Sequence, residues 1–89
     1  MELLSTGEFG KDIKHLDKTL RAILQKTIEK IADAPERGKA LGHYLDVFST
    51  RIEGKRLVYH LDRKEQKITL MIYKKRDEVY DYLRQLYGK

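Results

Sequence analysis

The 89-residue chain has no cysteine, no tryptophan and a single proline, Pro35. Without cysteine there is neither a disulfide framework nor a thiolate zinc site. No stretch approaches the roughly 20 apolar residues that a bilayer-spanning helix requires. The opening MELLSTGEFGKD has neither the basic start nor the apolar middle of a secretory signal, and a cytoplasmic location is expected. Internal repeats and low-complexity segments are also missing, so one domain, 1–89, with a single small core is expected. His15, His43 and His60 fall on a helix, a loop and a strand without ligand spacing, and no metal is expected.

What is abundant is charge: 37% of the residues are charged, against 40% hydrophobic, a soluble globular balance. The formal net charge of +5 is unevenly placed. Residues 1–44 hold eight Lys and Arg against seven Asp and Glu, whereas residues 45–89 hold eleven against seven. The excess cation sits in the second half, where Lys and Arg that neutralise phosphates would gain affinity for a polyanion by releasing counterions.

Residues Glu2 to Leu4 suit a short strand. Ser5 and Glu8 have the S-x-x-E spacing of a capping box ahead of a helix with Phe9, Ile13 and Leu16 on one face. Asp17 caps a second helix, whose Leu20, Ile23, Leu24, Ile28 and Ile31 form an amphipathic stripe ended at Asp33-Ala34-Pro35. Residues 35–44 read as a polar loop. Strands are expected at roughly 45–52, 55–62 and 67–73, joined by Glu53-Gly54 and by a solvated Arg63-Lys64-Glu65-Gln66 turn. Asp77 and Glu78 then open a helix carrying Val79, Leu83 and Leu86. The order β-α-α-β-β-β-α gives the α+β class, a small, mainly antiparallel sheet with two N-terminal helices on one face and a C-terminal helix.

Strand residues alternate between faces. Phe48 and Ile52, Leu57, Tyr59 and Leu61, and Ile68, Leu70 and Ile72 make an apolar face for the two helices, with Tyr59 in the core. Val47, Ser49 and Arg51, Arg56, Val58 and His60, and Thr69, Met71 and Tyr73 make a second face that mixes cations with apolar residues. Arg51 and Arg56 lie close across the hairpin, and like charges on paired strands cost stability. A phosphate site gives them a use, because guanidinium offers a planar fork of donors that matches phosphate oxygens. Aromatic rings nearby would stack bases.

The element order, the S-x-R-I-x-x-x-R-L-V-Y run from Ser49 to Tyr59 and the K-R-D-E-V-Y run ending at Tyr80 resemble the RelE/ParE toxin superfamily, with the hairpin nearest the RelE and YoeB branches. The resemblance covers almost the whole chain. It implies the toxin of a type II toxin–antitoxin pair, an mRNA interferase that cuts messenger RNA in the ribosomal A site and so inhibits translation. In that endoribonuclease reaction the 2′-hydroxyl attacks the adjacent phosphate, without metal or other cofactor, leaving a 2′,3′-cyclic phosphate and a 5′-hydroxyl.

Carried onto this chain, the resemblance puts Arg56 on the scissile phosphate. Arg51 stands at a proton-transfer position, Arg76 is a second cation, and Tyr80 stacks on the substrate base and orients the nucleophile. Lys75 completes the expected catalytic set, and Lys74, Lys55, Tyr73, Ser49 and His60 are the expected RNA contacts. Tyr73 is open to a core role, and for Tyr80 the plain alternative is a helix residue beside Val79. Two departures stand out. Ser49 replaces a family lysine, and Arg51 cannot serve as a base because guanidinium stays protonated. Lys74 or Lys75 with a lowered pKa is the substitute. The competing classes are a ParE-like poison of DNA gyrase and a degenerate toxin that only binds its antitoxin.

Exposed apolar residues rimmed by charge mark interaction sites. Val47, Val58 and Met71 on the cationic face, with Leu86 near the C-terminus, are expected to remain exposed. They suit a small acidic antitoxin helix that masks Arg56 and Tyr80 or displaces the terminal helix.

Overall fold

The first turn of structure is set by a hydroxyl. β1 (Glu2–Ser5) runs into Thr6, whose Oγ1 accepts the Phe9 N–H at 3.0 Å and donates to the Met71 carbonyl at 2.6 Å. Thr6 rather than Ser5 therefore caps α1 (Gly7–Ile13), one residue later than the capping-box spacing suggests, and Glu8 is free to turn toward Lys74. The computed structural model describes residues 1–88.

α2 (Lys18–Asp33) begins where expected, with Asp17 Oδ1 accepting the Leu20 N–H at 2.8 Å. Leu24 and Ile31 are buried and Leu16, Leu20 and Ile28 pack beside them, while Ile23 stays exposed at the edge of the stripe. Pro35 ends the helix and opens a 3₁₀ turn, Pro35–Arg37. The expected loop 35–44 also contains a strand, β2 (Lys39–Ala40), paired antiparallel to β3 (Val47–Ile52). β3 begins at Val47 because Asp46 adopts a φ of 57°, outside the extended region.

β3 and β4 (Lys55–Asp62) join through Glu53 and Gly54, both with positive φ (49° and 81°), the backbone of a type I′ hairpin turn. β5 (Lys67–Lys74) follows, then α3 (Arg76–Tyr87), whose Glu78 carboxylate accepts the Lys75 N–H at 3.3 Å and whose last turn closes on left-handed Gly88. The five strands lie in the order β1-β5-β4-β3-β2, antiparallel except for the β1–β5 pair. The fold is α+β, as expected. Among the described residues, no helix is long and apolar enough to cross a membrane.

α1 and α2 cover one sheet face, burying Phe48, Ile52, Leu57, Tyr59, Leu61, Ile68 and Leu70. The other face is not open. α3 lays Val79 and Leu83 on Val47, Val58, Met71 and Ile72, with Leu41 and Tyr44 closing the side. Val47, Val58 and Met71 are therefore core residues, 1%, 0% and 4% exposed, not the open patch the alternation suggested. Each such aliphatic burial is worth about 1.5–3 kcal/mol, so the fold keeps α3 docked.

A bulge corrects the face assignment. Val58 opposes Ile72 but Tyr59 opposes Leu70, so Met71 is an extra residue in β5 and the alternation inverts beyond it. Ile72 consequently faces α3, and Tyr73 faces the α1–α2 core.

Candidate functional site

Arg51 on β3 is the direct cross-strand partner of Arg56 on β4, and Arg56 in turn opposes Lys74 on β5. Three cations thus form a row at the hairpin end of the sheet. β5 passes straight from Lys74 to Lys75 and Arg76, the start of α3, so the row continues onto that helix. Arg51 is exposed and Arg56 half-buried. Among the described residues, no ion pair engages Arg51, Arg56, Lys75 or Arg76, although Arg63, Lys74 and Arg84 all have carboxylate partners. Tyr80 lies one turn beyond Arg76 on α3, half-buried, and lines a recess whose far wall is Lys39 to Tyr44.

Lys74 behaves differently from its neighbours. Its ammonium reaches Asp12 at 2.7 Å and Glu8 at 2.9 Å, tying α1 to the end of β5, while the other Asp12 oxygen accepts the Tyr73 N–H at 3.0 Å. Burial pulls the Lys74 pKa down, but Asp12 and Glu8 outweigh it and hold the group above its ordinary value. Lys74 is thus a structural cation and not the lowered-pKa base considered from the sequence.

Three expected RNA contacts are placed elsewhere. Tyr73 is 1% exposed in the core, donates its hydroxyl to the Ile52 carbonyl at 2.8 Å and carries Lys55 at 5.5 Å from its ring. Burial first, then the Glu53 carboxylate, pushes its pKa up. Ser49 is 1% exposed, and its Oγ has no hydrogen-bond partner. His60 pairs with Val47 at the opposite end of β4, about 13 Å along the strand from Arg56. Lys55 remains beside the hairpin turn, half-buried.

The sequence pattern did not single out Lys39, His43, Tyr44 and Arg84, which surround Tyr80. The spacing Arg76–Tyr80–Arg84, one residue per turn of a helix, was the available signal for the last of these. Among the described residues no group of three or more His, Cys, Asp or Glu could hold a metal ion.

With a mixed five-stranded sheet, two helices on one face and a third on the other, the chain superposes well on solved toxins. It matches free E. coli RelE carrying two arginine-to-alanine changes with a TM-score of 0.80 and 22% identity, over 97% of this chain and 96% of that one. The chain has the RelE toxin fold. The intact E. coli RelBE toxin–antitoxin complex gives a TM-score of 0.74 at 23% identity over 83% of this chain and 94% of that one. The Methanococcus jannaschii RelB–RelE complex gives 0.70 at 20% over 89% and 96%. No protein-family model matches the chain, and no curated protein does. On the RelE fold, the cation row occupies the free end of the β3–β4 hairpin and Tyr80 sits on the helix that covers the same face.

Proposed function

We propose that this protein is the toxin of a type II toxin–antitoxin pair and cuts messenger RNA on the ribosome. The observation that carries the proposal is the direct opposition of Arg51 and Arg56, with no carboxylate among the described residues on either. Opposed like charges destabilise a strand pair, so the arrangement has a use outside the fold, and a phosphodiester supplies one. The RelE fold of the solved neighbours supports the same direction.

In the proposed reaction the 2′-hydroxyl attacks its own 3′ phosphate and expels the 5′ oxygen. Negative charge grows on the non-bridging oxygens, and Arg56 with Arg51 and Arg76 stabilises it as fixed donors. Tyr80 holds the adjacent base so that the 2′ oxygen is in line. None of the three arginines can accept the proton. With Lys74 pinned by Asp12 and Glu8, Lys75 is the lysine beside the row that remains for proton transfer.

The partner follows from charge. A net +5 surface on which, among the described residues, Arg51, Arg56, Lys75 and Arg76 have no ion-pair partner suits a small acidic antitoxin. Because α3 covers Val47, Val58 and Met71, such a partner either masks the row from outside or displaces α3.

Primer extension on cellular messages during induction tests the function. Codon-positioned 5′ ends on translated messages are the expected result. Double-strand DNA breaks with intact messages would instead identify a gyrase poison, and an absence of both a degenerate, antitoxin-binding chain.

A further inference from the structure

We infer that the recess beside Tyr80 is a second nucleotide subsite, in which His43 stacks on the base next to the one Tyr80 holds and Lys39 lies toward its phosphate. This rests on the RNA-cleaving function proposed above. The recess consists of two adjoining hollows, of about 160 and 280 Å³, that share His43, Tyr44 and Tyr80. Lys39 lies at one end and Arg84 at the other, the latter held by Asp81, and no carboxylate lines either hollow. Imidazole and phenol rings with flanking cations are the chemistry that receives a single-stranded nucleotide, since every base has a face to stack.

The recess is preformed. The Leu41 N–H donates to the Val47 carbonyl at 2.9 Å and the Tyr44 N–H to the Leu41 carbonyl at 2.9 Å, which fixes the turn that carries His43. Tyr44 is buried and packs its ring against Tyr87 at 5.2 Å, and His43 stands edge-on to Tyr44 at 6.5 Å. His43 itself is exposed, so its ring is available to a ligand. The subsite is also in register with the cation row. Lys39 pairs with Ser49, which lies two residues from Arg51 on the same face, a step of about 7 Å along β3. A strand of RNA with one phosphate on Arg51 and Arg56 would place its neighbour toward Lys39.

The test is single-turnover cleavage of messenger RNA on programmed ribosomes, over a range of toxin concentrations, by the wild type, His43→Ala and His43→Phe. His43→Ala should raise the half-saturating concentration roughly tenfold, the loss expected of one stacking contact, and leave the maximal rate and the melting temperature unchanged. His43→Phe, which keeps a stacking face and loses both nitrogens, should restore wild-type saturation. If His43→Ala saturates like an active wild type, the subsite is wrong while the toxin function stands. A fall in maximal rate that His43→Phe does not rescue would also overturn it, by making His43 a proton-transfer group. A wild type that cuts no message removes both proposals together.

Discussion

Arg51 and Arg56 face each other across β3 and β4, and among the described residues no carboxylate pairs with either. The fold therefore carries a repulsion that a substitution can relieve. Arg51→Glu converts it into an opposite-charge pair and should raise unfolding stability by about 0.2–1 kcal/mol, read from urea midpoints at low salt. The gain should shrink in high salt and be accompanied by slower RNA cleavage. A variant that is less stable than wild type would show that the pair is not repulsive.

The Glu8–Asp12–Lys74 cluster predicts a pH dependence. Lys74 hydrogen-bonds Glu8 and lowers its pKa below the ordinary carboxylate value. The contribution is thus complete above the unfolded value of about 4.3 and is lost as the pH falls through the lower folded one. Lys74 itself is raised, so its contribution is complete below its unfolded value of about 10.4 and is lost as pH climbs through the folded one. Lys74→Met should lower stability at pH 7 and flatten the acid limb of the urea midpoint against pH. An unchanged acid limb would mean the cluster does not stabilise the docking of α1.

Gly38 and Tyr59 are coupled by contact. A Cβ on Gly38 would collide with the Tyr59 hydroxyl oxygen, which donates to the Pro35 carbonyl at 2.6 Å, and would stand 3.2 Å from the Ser49 carbonyl. Gly38→Ala should cost about 1–3 kcal/mol. Tyr59→Phe removes the nearest clashing atom at the cost of one hydrogen bond, so the double variant should be more stable than the sum of the two losses predicts. Strict additivity in thermal melts would contradict a direct contact between these two residues.

Much of this was legible in the chain. The Glu53-Gly54 hairpin, the Asp17 cap and the stop at Pro35 follow from local chemistry, and each lies where the sequence puts it. The bulge at Met71 does not. It is a property of pairing with β4, and a strict alternation of faces then misplaces Ile72 and Tyr73. The burial of Val47, Val58 and Met71 was equally hidden, because the apolar face of α3 does not reveal which side of the sheet it covers. For the site, Arg51 and Arg56 were visible as a pair from hairpin register alone. The capture of Lys74 by two carboxylates some sixty residues earlier in the chain was not.

The proposed acidic partner should associate faster at low salt, because opposite net charges steer the encounter. Stopped-flow association across a salt series should show a steep fall in on-rate with little change in off-rate. Amide exchange in α3 separates the two modes of inhibition: faster exchange on binding means displacement, slower exchange means masking.

The most direct measurement compares the wild type with Arg56→Ala on translating ribosomes, with circular dichroism of both as the control for folding. The wild type should cut the message at codon positions and arrest growth on induction. Arg56→Ala should fold and melt normally, because Arg56 makes no ion pair among the described residues, yet lose cleavage by two orders of magnitude or more, as removal of one charge-stabilising donor does (on the order of 10²–10³). Undiminished cleavage and arrest in a folded Arg56→Ala variant would contradict the central claim that the opposed arginines exist to hold a scissile phosphate.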